Sequence, residues 1–301
     1  MWFLLCPIYA KKDSVPLRSN TPSLDRGARL VISLHSRWLK LRKFCFILMG
    51  SVLIAAAGWA GEPAVTLEFI AHAAFRVVAE DRSSLIIDPY ADRVWLSYDF
   101  PAGLEADAWL ISHPHYDHDG GDYRGKKPPW PVDARVLRYP GEFEVGAFRV
   151  IGIQGLHAEP YGEEFGRFNT VWRIEVGGVS LAHWGDNEPL TAPMAKALAG
   201  VEVLMLPVDG VEHLLSFAAV EEIIERLEPK ILIPMHYRHP DLEPSAETPK
   251  NLGEIDRWAA TRKDVVRVED HRLELEADIL AREGTAIYVM LHSPLVEAPS
   301  N

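Results

Sequence analysis

Residues 106–121 read ADAWLISHPHYDHDGG, a largely apolar run that leads directly into a turn rich in possible metal ligands. The run 106–112 has the composition of a strand that is buried on both faces. Three histidines and an aspartate follow within 113–118, and divalent transition metals accept imidazoles and carboxylates as ligands. Gly120 and Gly121 allow a tight backbone turn that gathers these side chains. The stretch predicts half of a metal site at the end of a buried strand.

Three more ligand-type residues follow later strand-like runs. His157 comes after AFRVIGI (147–153), Asp186 after VSLAHW (179–184) and His236 after KILIPM (230–235). A single histidine is more often structural than metal-binding. Because strand ends along one sheet edge meet in space, however, these residues can converge on the first cluster. Together they predict one site with seven ligands.

The motif HPHYDH resembles the HxHxDH signature of the metallo-β-lactamase superfamily, and the three later residues match its remaining ligand motifs. Three local stretches also resemble the branch that contains ascorbate-6-phosphate lactonase and N-acyl-phosphatidylethanolamine phospholipase D: IAHAAFRV, IIDPY and IPMHY. The resemblance covers 65–291, although Ala71 stands where that branch usually has glycine before its early histidine. It implies an α/β fold, a four-layer αββα sandwich with the site along one edge of the two sheets.

The resemblance also implies a role for each ligand. One divalent metal would be bound by His113, His115 and His157, and a second by Asp117, His118 and His236. Asp186 would bridge the two metals, and Asp117 would also be catalytic by orienting the nucleophile, a metal-bound hydroxide. Zinc is the metal that His-rich sites usually select, and manganese or iron is the alternative because carboxylates contribute.

Five residues near these ligands are candidate substrate-binding groups: His72, Tyr161, His183, Tyr237 and Arg238. His183 could instead support a ligand or be a buried structural histidine. Arg238 could hold an anionic group of the substrate, or form a surface ion pair.

The first 60 residues differ from the rest in charge. They carry nine Lys/Arg, two Asp/Glu and both cysteines, whereas the whole chain has a net charge of −12, which leaves −19 on 61–301. The basic flank and the apolar run 44–57 predict a signal peptide over 37–60, cleaved after Ala57 or Ala60. A retained membrane anchor is the alternative, but the run is shorter than the about 20 apolar residues of a span.

Residues 1–36 fit neither element and are interpreted as a gene-start artefact or a disordered leader. Residues 61–301 are expected to form one hydrolase domain, located in a bacterial periplasm or secreted, with no stable membrane span after processing. This region contains no cysteine, which excludes disulfides and thiol chemistry there. Its acidity argues against binding a nucleic-acid backbone.

The hydrophobic pattern predicts strands first and strand–helix–strand units later. Strands are expected at 65–70, 74–79, 84–88, 106–112, 134–139, 147–153, 169–176, 179–184, 201–208, 230–235, 265–268 and 285–291. Helices are expected at 191–199, 216–228 and 251–262, with Ser216 as a cap and an exposed loop at 240–250. Gly177 and Gly178 predict a two-residue hairpin.

These observations predict an exported metal-dependent hydrolase with two metals and a small-molecule substrate: an ester, a lactone or a phosphodiester. A true β-lactamase is one alternative, and a non-catalytic metal-binding protein on the same fold is another.

Overall fold

The computed structural model describes residues 65–121, 125, 127–243 and 251–297. The predicted leader 1–36, the predicted signal peptide 37–60 and most of the predicted loop 240–250 lie outside these residues. Among the described residues, no helix is both long and apolar enough to cross a lipid bilayer.

The described part of the chain contains fourteen strands and four short α-helices. The strands are β1 (Val65–Ala71), β2 (Ala74–Ala79), β3 (Ser84–Ile87), β4 (Ala108–Leu110), β5 (Val136–Leu137), β6 (Gly141–Val145), β7 (Phe148–Leu156), β8 (Phe168–Val176), β9 (Val179–His183), β10 (Val203–Pro207), β11 (Ile231–Met235), β12 (Val265–Val268), β13 (Arg272–Glu274) and β14 (Ala286–Met290). The helices are α1 (Ala192–Ala197), α2 (Phe217–Leu227), α3 (Asp256–Ala259) and α4 (Ala277–Leu280).

The strands form a six-stranded sheet of order β13-β1-β2-β3-β4-β5 and an eight-stranded sheet of order β12-β14-β11-β10-β9-β8-β7-β6. Strands β6 to β9 pair antiparallel, and β9, β10, β11, β14 and β12 pair parallel. The predicted hairpin is present between β8 and β9, where Gly177 and Gly178 both have positive φ angles (57° and 81°). The predicted α/β class with layered sheets is confirmed.

Alternating residues of β3 and β4 in the smaller sheet belong to two different apolar clusters. Leu85, Ile87 and Leu110 belong to the large core that also contains residues of the eight-stranded sheet. Ile86 and Trp109 face the other way, into a cluster with Tyr90, Tyr98 and Phe100. Because β4 is buried on both faces, it has no polar face, as its sequence predicts.

Helix α2 connects the parallel strands β10 and β11 and buries one apolar stripe: Val220, Ile223, Ile224 and Leu227. The Ser216 hydroxyl accepts a hydrogen bond from the backbone nitrogen of Ala219 at 3.1 Å, so the predicted cap is present. The helix ends where Glu228 adopts a left-handed conformation, which breaks the hydrogen-bond ladder.

Several predicted boundaries are wrong. The helix expected over 251–262 is confined to Asp256–Ala259, since 251–254 is extended or irregular. The expected strand 134–139 shrinks to two residues, and β6, β13 and α4 were not predicted. Strand β6 (GEFEV) places only one face against the core and has glutamates on the other, so it contains too few apolar residues to be recognised in the sequence. Strand β13 has three residues and is too short to show a period.

Candidate metal centre

The structure brings the seven predicted ligands together at the ends of four strands. His113 follows β4 after two residues, and His157 and His236 follow β7 and β11 directly. Asp186 lies three residues beyond β9, where Gly185 turns the backbone with a φ of 58°. All but His115, which is half-buried, are buried, so the sheet edges hold these polar groups inside the protein.

The ligand atoms fall into two groups, in each of which all atoms lie within 4.8 Å of one another. The first ligand group is His113, His115, His157 and Asp186. The second ligand group is His72, Asp117, His118 and His236. This division matches the one that the resemblance implies, with His72 as an additional member of the second group.

Asp186 connects the two groups. Its Oδ2 lies 3.4 Å from His157 Nε2 and 3.7 Å from His113 Nε2, both in the first group. The same oxygen lies 3.4 Å from His236 Nε2, and Oδ1 lies 3.2 Å from His118 Nε2. One carboxylate therefore faces both groups, which is the geometry that a bridging ligand requires.

Buried atoms without hydrogen bonds mark the centre of this arrangement. Within the described residues, the Nε2 atoms of His118, His157 and His236 and Oδ1 of Asp186 are buried and have no hydrogen-bond partner. Such groups are costly unless something binds them. Since imidazole nitrogens and a carboxylate oxygen are good ligands for zinc, manganese or iron, the residues present fit divalent metals.

The remaining ring nitrogens of the first group are hydrogen-bonded, as is usual for metal-ligating histidines. His113 Nδ1 lies 2.9 Å from Ser112 Oγ, and His157 Nδ1 lies 2.8 Å from the carbonyl oxygen of Ala158. His115 Nε2 lies 2.8 Å from Glu164 Oε1. These contacts fix the ring orientations and leave the opposite nitrogens directed at the centre.

Asp88 performs the same task for both groups and was not predicted from the sequence. Its Oδ2 accepts from His118 Nδ1 at 2.7 Å and from Ser112 Oγ at 2.6 Å, and Oδ1 accepts from the Ser112 backbone nitrogen at 2.7 Å. Through Ser112, the network also reaches His113. The only signal in the sequence is its position at the end of β3, in the stretch IIDPY.

His72 was predicted to bind substrate, but it is buried beneath the cleft and does not line it. It is fully buried in the turn between β1 and β2, and its Nε2 lies 3.1 Å from Asp117 Oδ2. Its left-handed backbone (φ 59°) presents the carbonyl oxygen to the backbone nitrogen of His236 at 2.9 Å. The structure thus places His72 beside the second group of ligands.

Opposing charges dominate the electrostatics of the centre. Burial raises the pKa of Asp186, but the imidazoles of His118, His236 and His113 outweigh it and hold that pKa well below its usual value. Burial and the neighbouring His236 lower the pKa of His72 to about 3. The carboxylate of Asp186 is therefore ionised and His72 is neutral at neutral pH, the forms in which both bind metals.

A cleft with a volume of about 160 Å³ opens above the two groups. Its floor is formed by ligands, and its wall by Trp95, Tyr116, Tyr161, His213, Leu214 and Asn251. Of the predicted substrate-binding residues, Tyr161 lines this cleft. The other wall residues were not predicted, and the one available signal is that His213 follows the end of β10.

Three predicted substrate-binding residues lie away from the cleft. His183 is fully buried, with Nε2 2.9 Å from the carbonyl oxygen of Ala73. Tyr237 is buried in the core, and its hydroxyl donates to the carbonyl oxygen of Met290 at 3.4 Å. Arg238 has its Nη1 3.6 Å from Glu254 Oε1, which is the ion pair that the sequence left as an alternative.

Comparisons with known proteins agree with this architecture. Residues 66–236 match the model of the beta-lactamase superfamily domain. A metal-dependent hydrolase from Thermococcus onnurineus is 26% identical over 194 residues, covering 58% of this chain and 84% of that protein. One from Archaeoglobus fulgidus is 24% identical over 193 residues, covering 57% of this chain and 82% of that protein.

A crystal structure from Thermotoga maritima, of a protein assigned as a Zn-dependent hydrolase of the metallo-β-lactamase superfamily, has the same fold. Its TM-score is 0.55 at 23% identity, and the match covers 75% of this chain and 98% of that one. The layered sheets, the His/Asp centre and these relatives define a metal-dependent hydrolase. The chain belongs to the metallo-β-lactamase superfamily.

Proposed function

We propose that the protein is an exported hydrolase with two metal ions that cleaves a small ester, lactone or phosphodiester. The observation that supports this most directly is the position of Asp186, whose two oxygens face ligand nitrogens of both groups at 3.2–3.7 Å. Zinc is the proposed metal because six of the eight residues in the two groups are histidines, and manganese or iron is the alternative.

Metals held there would lower the pKa of a water molecule and stabilise the negative charge that develops on the substrate. The chain itself contributes Asp117, whose Oδ2 lies 3.1 Å from His72 Nε2 and 3.5 Å from His236 Nε2 at the floor of the cleft. Burial raises the pKa of Asp117, but the surrounding histidines, His118 first, hold it well below its usual value. Asp117 is thus an ionised acceptor that can orient the nucleophile.

The cleft supports a small-molecule substrate. Its volume of about 160 Å³ is below the about 300–1,000 Å³ of pockets for drug-sized ligands, so the cleft accommodates a small molecule or the reacting part of one. A nucleic acid would need a basic surface to bind its phosphates, whereas 61–301 carries a charge of −19.

The decisive experiment measures metal content and turnover of the full chain supplied with Zn²⁺, Mn²⁺ or Fe²⁺. We expect two metals per chain and hydrolysis of a lactone, a carboxylic ester or a phosphodiester. Asp117→Asn should abolish most turnover, whereas Asp119→Asn is a matched control, since the Asp119 carboxylate pairs with Arg138 instead. Fewer than two metals per chain would contradict the proposal.

The same experiment addresses both alternatives. Turnover of nitrocefin comparable to that of the esters would indicate a true β-lactamase. Two bound metals without turnover of any substrate would indicate a non-catalytic metal-binding protein.

Export is proposed from the sequence of 37–60 and needs its own test. Mass spectrometry of the protein recovered from the periplasm or the medium should show an N-terminus near Ala57 or Ala60. A chain that stays with the membrane and still contains residues before 44 would indicate a retained anchor.

A further inference from the structure

The wall of the cleft is aromatic and polar rather than charged. Its six residues are Trp95, Tyr116, Tyr161, His213, Leu214 and Asn251. None of them carries a carboxylate, ammonium or guanidinium group, and each is half-buried, with part of its surface left open. The part of a substrate that does not react must lie against this wall, since the ligands occupy the floor.

Three of the wall residues pack their aromatic rings against one another, and the ring of His213 contacts both Trp95 and Tyr161. The rings of Trp95 and His213 are nearly parallel, with centroids 6.4 Å apart and planes 28° apart. Tyr161 lies on His213 with the ring centroids 4.8 Å apart. Asn251 holds the ring of His213 in this aromatic cluster, because its Nδ2 lies 3.2 Å from His213 Nδ1.

Two cationic side chains that are close in sequence to the ligands, Arg238 and Arg167, do not line the cleft and are paired with protein groups. Arg238 faces Glu254, and the guanidinium of Arg167 contacts Glu159 and the carbonyl oxygen of His157. On the side of His115, Glu164 adds a negative charge. An anionic substituent on the substrate would therefore meet no free cation among the described residues that line the cleft.

We infer that the substrate carries a flat, uncharged aromatic group next to the reacting bond, and that Trp95 and Tyr161 select it. The inference rests on the proposed hydrolase function and extends it to the class of substrate. Aromatic contacts add binding energy beyond the area that they bury, equivalent to about a 2- to 10-fold preference. A ring of similar size that is not flat would lose this preference.

The test compares matched substrates on the zinc-loaded full chain. Ethyl phenylacetate and ethyl cyclohexylacetate present similar carbonyl groups but differ in the flatness of the ring, and methyl phenyl phosphate provides the phosphodiester case. We expect kcat/KM for the phenyl ester to exceed that for the cyclohexyl ester by about 2- to 10-fold. Trp95→Leu and Tyr161→Leu should each bring this ratio towards one. Tyr139→Leu should leave it unchanged, since Tyr139 is 69% exposed and does not line the cleft.

A binding measurement keeps the inference testable apart from turnover. Phenylacetamide, cyclohexylacetamide and 4-carboxyphenylacetamide are titrated calorimetrically into the zinc-loaded chain. Tighter binding of phenylacetamide than of the other two, lost in Trp95→Leu, would support the inference. Equal binding of the three, or preference for the carboxylate, would overturn it. A chain that binds phenylacetamide selectively but hydrolyses no ester, lactone or phosphodiester would refute the proposed function and leave the aromatic subsite established.

Discussion

Replacing Asp88 by asparagine should weaken metal binding without removing any predicted ligand. In the protein, Asp88 Oδ2 accepts from His118 Nδ1 at 2.7 Å, and both of its oxygens accept from Ser112 at 2.6–2.7 Å. Because an ionised carboxylate only accepts hydrogen bonds, His118 must carry its proton on Nδ1. The lone pair of Nε2 is then free to bind a metal.

The magnitude follows from what the asparagine amide presents. If its NH₂ group faces His118 Nδ1, the imidazole accepts there and moves its proton to Nε2, which blocks metal binding. If the amide is reversed, the NH₂ group faces the backbone N–H of Ser112, and that donor loses its acceptor. A hydrogen bond to a charged group contributes about 1.5–3 kcal/mol. Since 1.4 kcal/mol is about tenfold in affinity, we expect metal binding to weaken by about 10- to 100-fold.

The assay is competition for Zn²⁺ between the full chain and a chromophoric chelator. The matched control is Asp107→Asn, because the exposed Asp107 carboxylate accepts a hydrogen bond from the backbone nitrogen of Ser84, at 2.7 Å, and from no other group in the described part of the chain. Urea unfolding of each metal-free variant shows whether the fold is retained. A folded Asp88→Asn protein that binds both metals within twofold of the native affinity would refute this reasoning.

Three other predictions use the same protein. In urea unfolding, Gly185→Ala should destabilise the fold more than Gly200→Ala. Both glycines have positive φ angles (58° and 76°), so the backbone strain is similar. A Cβ at Gly185 would approach Asn169 Oδ1 to 2.5 Å, whereas a Cβ at Gly200 would meet nothing within 4 Å. Equal losses, of about 1–2 kcal/mol each, would show that crowding is unimportant. Burial lowers the pKa of His239 to about 3 in the folded protein, whereas its ordinary value of 6.5 applies in the unfolded chain. Between these two pH values the unfolded chain binds one proton more than the folded protein, so the free energy of unfolding decreases as the pH falls. His239→Phe should reduce the pH dependence of the free energy of unfolding by about 1.4 kcal/mol per pH unit between pH 6.5 and 3, measured on the metal-free protein. An unchanged pH dependence would contradict this prediction. Zinc at 100 times its Kd should stabilise the chain by about 2.7 kcal/mol, seen as a raised Tm that a chelator reverses, and an unchanged Tm would argue against a buried site.

The parts of the fold that the sequence predicts are those with a local signal. Gly177 and Gly178 permit the left-handed backbone that a two-residue turn requires, and the hairpin forms at that place. Helix α2 follows from its apolar stripe and its Ser216 cap. The predicted ligands of the centre come together because the four strands that precede them, β4, β7, β9 and β11, end close to one another. Their assignment as metal ligands stays a prediction until metal content is measured.

The parts that escaped prediction lack such a signal. Trp95, His213 and Asn251 come from three separate loops and meet only in the folded protein, so no spacing in the sequence connects them. Asp88 reads as the last residue of a strand, and its function appears only when Ser112 and His118 are placed against it. Tyr237 and Arg238 were predicted to bind substrate because they follow His236 in the sequence, but neither side chain lines the cleft.

Three residues at the centre have a backbone conformation that is unfavourable for residues other than glycine. His72, Asp88 and His236 all have left-handed backbone, with φ angles of 59°, 47° and 61°. Each residue in this conformation lowers the stability of the fold by about 1–2 kcal/mol. The three residues follow the ends of β1, β3 and β11, next to the second ligand group. Backbone hydrogen bonds hold all three, since the Asp88 nitrogen donates to Leu110 O at 2.8 Å and the His236 nitrogen donates to His72 O at 2.9 Å. Because backbone hydrogen bonds at the strand ends enforce these turns, the fold itself fixes the positions of the predicted ligands, and this preorganisation lowers the free energy that metal binding must supply to order the site.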